Sequence, residues 1–279
     1  MKRLALIAAL LTAGPALAEP ARVISLGGAV TEIVVALGAE DRLVARDTTS
    51  QYPERITELP DVGYVRALSA EGVLALDPDL ILAEATAGPP EAVETLKAAG
   101  VDFVALPGDP SVQGVREKIA VVGAALDREE AAERLTASFD AEMDAVRKSA
   151  GAVATPKRLL FVLSLQNGRV MAGGEGSSAE AIIELAGGVN AATGFAGYKP
   201  VTDEAILAAD PDVILTMDRE GEMAVTERDI LAHPALGQTR AARGGALVAM
   251  DGMLLLGFGP RTPQAAQALH AALYPEAEG

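Results

Sequence analysis

One stretch of the chain occurs twice. Residues 68–82 read LSAEGVLALDPDLIL and residues 201–215 read VTDEAILAADPDVIL, at a constant offset of 133. Glu71 falls on Glu204, Leu74 on Leu207, and Asp77-Pro78-Asp79 on Asp210-Pro211-Asp212. Each copy predicts a short amphipathic helix, a proline stop and then a buried apolar strand. Ser69 and Thr202 stand where helix N-caps belong. Leu-Ile-Leu and Val-Ile-Leu suit a parallel strand covered on both faces. A chain built on such a repeat folds as two similar α/β units.

The flanking segments extend the match. Val23-Ile24-Ser25 predicts a strand, and Thr31 to Gly38 a helix with a glycine stop. In the second half, Leu159 to Leu163 and Ala179 to Gly187 repeat that order. Val101 to Leu106 and Ala246 to Met250 form a third, strand-like pair. Between the halves, Arg128 to Ser149 contains neither Gly nor Pro. Ala132, Leu135, Phe139, Met143 and Val146 recur at three and four, marking one face of a long helix. The fold class expected is therefore α/β: two lobes with mostly parallel sheets, a linker helix and a cleft between the lobes. The expected boundaries are a leader over 1–18, a first lobe over 19–127, the linker over 128–150 and a second lobe over 151–279. In such sheets, loops after the strands' carboxyl ends form ligand crevices.

The chain opens with Lys2 and Arg3, an apolar run from Leu4 to Leu11, and Ala16-Leu17-Ala18. This predicts a cleaved secretory leader ending after Ala18, and a periplasmic destination. The run is far short of the ~20 residues a membrane span needs. The chain has no cysteine, which excludes disulfides, thiolate ligands and cysteine nucleophiles. Its formal charge of −16 becomes −18 when the leader takes Lys2 and Arg3 with it. That balance excludes nucleic acid and anionic lipid as partners. Tryptophan is absent, so a pocket for a flat ligand would be lined mainly by aliphatic side chains.

The loop before each repeated helix is the place to look for a site. The first reads Val62-Gly63-Tyr64-Val65-Arg66 and the second Gly197-Tyr198-Lys199-Pro200. Arg66 falls on Lys199, and Tyr64 lies one place from the equivalent of Tyr198. These are also ordinary turn residues, and position alone leaves both readings open. Tyrosinate is a haem-ligand type, and Arg or Lys can hold carboxylates such as porphyrin propionates. The only histidines are His233, before Pro234, and His270, in a terminal apolar helix, so a multi-histidine metal site is excluded. Met253 to Phe258, closed by Arg261, reads as an apolar loop suited to an apolar ligand with an acidic edge, or as a buried connection. Glycines at 27 and 28, and at 173, 174 and 176, precede helices, but no phosphate-loop pattern follows. Ser164, Ser177 and Ser178 have no evident histidine partner, so a periplasmic hydrolase is the weaker alternative.

The segment VGYVRALSAEGVLAL, followed by PDLIL, resembles the haemin-binding periplasmic proteins of bacterial haem ABC importers. GYKPVTDEAILAADPDVIL, HPAL and LLGFGPRT resemble the same family. The resemblance spans about residues 20–275. PDLIL and HPAL are general to a wider class that also binds siderophores and cobalamin, which remain the alternative cargoes. The resemblance implies that Tyr64 ligates haem iron and that Arg66 steadies its phenolate. It implies that Glu71 and Glu204 dock onto a permease dimer served by a separate ATPase, and that a helix braces the lobes. Tyr198, Lys199, Met253, Phe258 and Arg261 complete the expected haem site, in a monomer that binds without turnover. Some relatives add a histidine ligand from the second lobe. The region around Leu165-Gln166-Asn167 has none.

Overall fold

The computed structural model describes residues 21–219 and 224–275. The expected leader and its cleavage point lie outside the described residues. The first lobe runs β1 (Val23–Leu26), α1 (Gly28–Ala36), β2 (Leu43–Arg46), α2 (Ala70–Leu74), β3 (Leu80–Glu84), α3 (Pro90–Ala98) and β4 (Asp102–Leu106). Its four strands pair in the order β2-β1-β3-β4, all parallel. Two helices, α4 (Val112–Ala125) and α5 (Glu129–Gly151), lead to the second lobe.

The second lobe continues with β5 (Arg158–Gln166), β6 (Arg169–Gly173), α6 (Ser178–Leu185), β7 (Val189–Asn190), β8 (Tyr198–Val201) and α7 (Asp203–Ala209). It ends with β9 (Val213–Asp218), α8 (Glu227–Ala232), α9 (Arg240–Arg243), β10 (Leu247–Asp251), α10 (Gly252–Leu256) and α11 (Thr262–Leu273). The sheet order is β10-β9-β5-β6-β8. The first two pairings are parallel, whereas β6 is antiparallel to both β5 and β8.

The repeated Asp-Pro-Asp has a physical explanation. Asp210 caps the end of α7 at φ +34°, and Asp77, two residues past the cap of α2, turns at φ +47°, a left-handed step that an aspartate tolerates. Proline then prevents the helix from continuing. The second aspartate clamps the neighbouring strand. Asp79 accepts the N–H groups of Ala21 and Arg22, each at 3.0 Å, and Asp212 accepts that of Arg158 at 2.8 Å. The arginines return the clamp. Arg22 donates to the Leu76 carbonyl at 2.6 Å, and Arg158 donates to the Ala209 carbonyl at 3.2 Å. In each lobe the motif thus fastens the end of a helix to the start of a central strand.

Of the five apolar residues expected on the linker's inner face, Ala132, Phe139, Met143 and Val146 are buried and Leu135 is partly buried. The α5 helix packs on α4, α11 and α6. One continuous apolar cluster holds Val30 and Ile33 of the first lobe, Phe139 and Met143 of α5, and Phe161 and Leu269 of the second lobe. The lobes therefore share a core.

Two local expectations differ from the structure. The stretch around Tyr198 is edge strand β8, not a loop, and pairs from Val170↔Val201 to Gly173↔Tyr198. An edge strand tolerates Pro200, which has no N–H to give a ladder. The Met253 segment begins as helix α10, whose first turn Asp251 caps by accepting the Leu254 N–H at 2.7 Å.

Candidate ligand-binding cleft

The Tyr64 loop is built from its ends inward. Asp61 pairs with Arg46 at 2.9 Å and accepts the Gly63 N–H at 2.8 Å. Gly63, at φ +94°, turns the chain, and its carbonyl accepts the Thr48 N–H at 3.0 Å. Val65 then plugs the first-lobe core at 2% exposure, and its carbonyl accepts the Gly88 N–H at 2.9 Å. With Val65 turned inward, its neighbours on both sides are left outside: Tyr64 is 45% exposed and Arg66 is exposed. A phenol and a guanidinium two residues apart are thereby held at the surface by a fixed backbone.

Arg66 stands between the lobes. Its charge acts on the carboxyl of Glu84, at the end of β3, and on the hydroxyl of Tyr198, in the second lobe. Tyr198 itself is anchored. Its hydroxyl lies 2.7 Å from Ser178 Oγ, accepts the Ala179 N–H at 3.3 Å, and its ring meets Phe161 edge-on at 6.2 Å. Burial pushes its hydroxyl pKa above the usual phenol range, against the pull of Ser178, Ala179 and Arg66. Lys199 is exposed, and along an extended strand it points to the face opposite Tyr198. The two expected tyrosine–cation pairs are therefore unlike. The first is exposed on a loop, and the second is a packed tyrosine with its lysine on the other side of a strand.

The floor of the cleft carries charges that the sequence did not single out. Glu84 lies beneath Gly27, where any Cβ would overlap Glu84 Cγ. Thr86 donates to Glu84 Oε2 at 3.2 Å. Behind Glu84, Lys118 is 7% exposed and donates to the Phe258 carbonyl at 3.0 Å. Burial pushes the Glu84 carboxyl above the usual range and Lys118 below its own, so burial outweighs their attraction in both. Asp47, fully buried, accepts from Gly27, Thr49 and Ser50 and fastens the turns after β1 and β2.

The wall from the second lobe is made by residues 251–261. Met253 reaches the first lobe, where its Cε lies 2.7 Å from the point a Cβ on Gly28 would occupy. Phe258 has φ +48° and 3% exposure, so its ring belongs to the shared core. Arg261 donates from Nε to Glu32 at 3.0 Å and from Nη2 to the other carboxylate oxygen, and its guanidinium lies 3.7 Å over the Tyr52 ring. Burial raises the Glu32 carboxyl above its usual range despite Arg261. For Arg261, burial is again the largest influence, but Glu32, Tyr52 and Asp251 together leave it more firmly protonated. Phe258 and Arg261 thus join the lobes.

Glu71 and Glu204 occupy the same place in α2 and α7. Each lies in the first turn of its helix and is exposed. Ser69 caps one helix through the Gly72 N–H and Thr202 the other through the Ala205 N–H, each at 3.2 Å. The Glu204 carboxyl is held below its usual range by its own N–H and the Thr202 hydroxyl. His233 is a turn residue, as expected: its Nδ1 accepts from Ala235 and Leu236 at 3.2 and 3.3 Å. His270 Nδ1 lies 2.9 Å from the Ala186 carbonyl. No cluster of three or more His, Cys, Asp or Glu residues suited to a metal occurs among the described residues. No described helix is long and apolar enough to cross a membrane. Two hollows of about 520 and 300 Å³ border α7 on the second lobe, and neither is lined by Tyr64, Arg66 or Met253.

The chain is similar to the periplasmic heme-binding protein BhuT, solved in complex with two hemes: 43% identity, TM-score 0.86, covering 91% of this chain and 98% of that one. It is similar to the periplasmic heme-binding protein RhuT from Roseiflexus sp. RS-1 in apo form, at 38% identity and TM-score 0.87 over 91% of this chain and 98% of that one. Among curated relatives, a vitamin B12-binding protein of Vibrio campbellii is 26% identical, over 77% of this chain and 78% of its own length. A family model described as periplasmic binding protein matches residues 23–254, and the chain belongs to that family.

Proposed function

We propose that this protein captures ferric haem in the periplasm and delivers it to the permease dimer of an ABC importer, with transport driven by a separate ATPase. The observation that carries the reading is the Tyr64 loop. It sets an exposed phenol and an exposed guanidinium, two residues apart, on a rigid backbone just before the repeated helix of the first lobe. A phenolate oxygen is a hard donor suited to ferric iron, and a guanidinium suits a propionate. Tyr64 would bind the cargo iron and Arg66 would face its charged groups. Met253 would border the porphyrin. Lys199 would reach a propionate only from the outer side of β8, and Tyr198 would act through its contact with the Arg66 charge. Glu71 and Glu204, alike in their lobes, would meet basic residues of the permease. A monomer, released by cleavage after Ala18, fits this role. Likeness to heme-binding structures supports the same cargo.

Cobalamin is the second reading, favoured by the vitamin B12-binding relative. Titration of the purified protein with haemin and with cyanocobalamin separates the two. Saturable haemin uptake with a high-spin ferric tyrosinate spectrum is expected, lost in Tyr64→Ala. Saturation by cobalamin instead, or an unchanged spectrum in that variant, overturns the assignment.

A further inference from the structure

We infer that the second lobe carries an apolar seat for the permease: Leu207 and the hollow beside it take an apolar side chain from the permease half that meets Glu204. Among the described residues the first lobe has no counterpart, so the second lobe grips by more than charge. The inference rests on the docking reading above and adds to it a residue and a different kind of contact.

The repeat makes the comparison direct. Leu74 of α2 and Leu207 of α7 hold the same place, three residues after Glu71 and Glu204. Leu74 is partly buried and packs on the apolar cluster that holds Val65, Val73 and Leu96. Leu207 is 43% exposed. The large side chains exposed on the first lobe, among the described residues, are the rings of Tyr52 and Tyr64, and no aliphatic chain of that size joins them. An exposed leucine at a position whose twin is packed is a difference in surface, not in pattern.

The difference has a structural cause. In the first lobe α3, nine residues long, lies against α2. In the second lobe the chain between β9 and β10 is broken into α8, the turn Leu236–Gln238 and the four-residue α9, and α7 packs on the turn. This broken cover leaves the hollow of about 520 Å³, bordered by Leu207, Asp210, Gln238, Arg240, Arg243 and Gly244. The second hollow, of about 300 Å³, lies against Ala205, Ile206 and Ala209 of the same helix. Helix α7 thus stands between two open spaces with Glu204 in its first turn.

Charge and spacing select the occupant. Asp203 and Glu204 are exposed side by side in the first turn of α7, and together they call for a basic partner. Leu207 lies three residues on, so its side chain neighbours that of Glu204 on the helix surface, with Cβ atoms about 5–6 Å apart. A permease segment that offers a base and an apolar side chain at that spacing satisfies both at once. Burial of Leu207 then adds an attraction that salt does not screen. A second copy of the chain is the poorer occupant, because a formal charge of −16 sets copies against each other.

The test measures binding of the purified receptor to the reconstituted permease and ATPase, at about 0.05 and 0.5 M salt, for wild type, Leu207→Ser, Leu207→Met and Glu204→Gln. Leu207→Ser is expected to weaken association about tenfold at both salt concentrations, with the haemin titration and melting temperature unchanged. Leu207→Met, which keeps apolar bulk, should stay within about twofold of wild type. Glu204→Gln should weaken association at low salt, and that loss should shrink at high salt. Wild-type affinity in Leu207→Ser beside a weakened Glu204→Gln overturns the inference and leaves the docking reading standing. A Leu207→Ser loss that fades at high salt also overturns it. So does a wild-type dimer, seen by light scattering, that Leu207→Ser converts to monomer, since the seat would then serve a second copy. Wild-type affinity in Glu204→Gln at low salt is a separate outcome: the docking reading falls, and this inference with it.

Discussion

Arg261→Ala offers the most direct test of how the lobes are held together. The Arg261–Glu32 pair joins residues 229 apart, with side-chain exposures of 18% and 9%. Removing the arginine leaves Glu32 buried without its cation. Breaking a buried pair from one side costs about 3–5 kcal/mol, and residual water at the arginine end places this one near ~3 kcal/mol. Loss of the stack on Tyr52 adds about 0.5–1 kcal/mol. In a chain of this length each kcal/mol lowers the melting temperature by roughly 2–4 °C, so a fall of about 7–16 °C is expected. The pH dependence has a definite sign. Burial holds the folded Glu32 carboxyl above its usual range. Its contribution to stability is therefore full below the unfolded carboxylate pKa, and it is lost as pH rises through the raised folded value. Without Arg261 that value rises further. The gap between wild type and variant should widen from acid to neutral pH. The Glu32→Ala/Arg261→Ala double variant should regain part of the loss, because no orphaned carboxylate remains. Thermal melts at acid and at neutral pH test this. A variant within about 1 °C of wild type at neutral pH, or a gap that grows on acidification, would falsify the reasoning.

Gly27→Ala forces a side chain into φ +121° and against Glu84. Strain and overpacking together should destabilise it by roughly 2–6 kcal/mol in denaturant melts, and wild-type stability would show that the turn relaxes freely. Asp79→Ala removes the acceptor for two backbone N–H groups at the start of β1 and should cost about 1–2 kcal/mol in the same assay. Unaltered stability would mean that water replaces the clamp. Charge reversal of both Glu71 and Glu204 should leave the haemin titration unchanged and abolish association with the reconstituted permease and ATPase. Transport at the wild-type rate would remove these residues from the docking surface.

Much of the fold was legible in the sequence because the repeat has a local cause. The Asp-Pro-Asp clamp, the capping Ser69 and Thr202, and the apolar face of α5 act within one element or between neighbours. The mixed edge of the second sheet was not legible. Tyr198-Lys199-Pro200-Val201 is short and contains a proline, and only its pairing with β6 makes it a strand. Tyr64 and Arg66 stood out by their place before a repeated helix. Glu84, Lys118 and Glu32 did not, because each gains meaning from a partner on a distant element. Lys118 meets a backbone carbonyl 140 residues away, which no side-chain pattern announces. Arg261 looked like a free cation at the end of an apolar loop. Its partner, Glu32, sits in the middle of an apolar helix at the other end of the chain and carries no local mark.

The shared core has a consequence for delivery. A receptor that clamps shut on its cargo tells a transporter it is loaded by changing its outline. Here one apolar cluster runs through both lobes and α5, and three further ties cross between them: Met253 against Gly28, Lys118 to Phe258, and Arg261 to Glu32. Such a core opposes any change in the spacing between Glu71 and Glu204 on loading. An importer docking on those two points would read a ruler of fixed length, and an empty receptor would compete with a loaded one for the same dock. Supply would depend on the ratio of the two forms in the compartment, and removal of the cargo would take work done by the transporter on a body that does not open by itself.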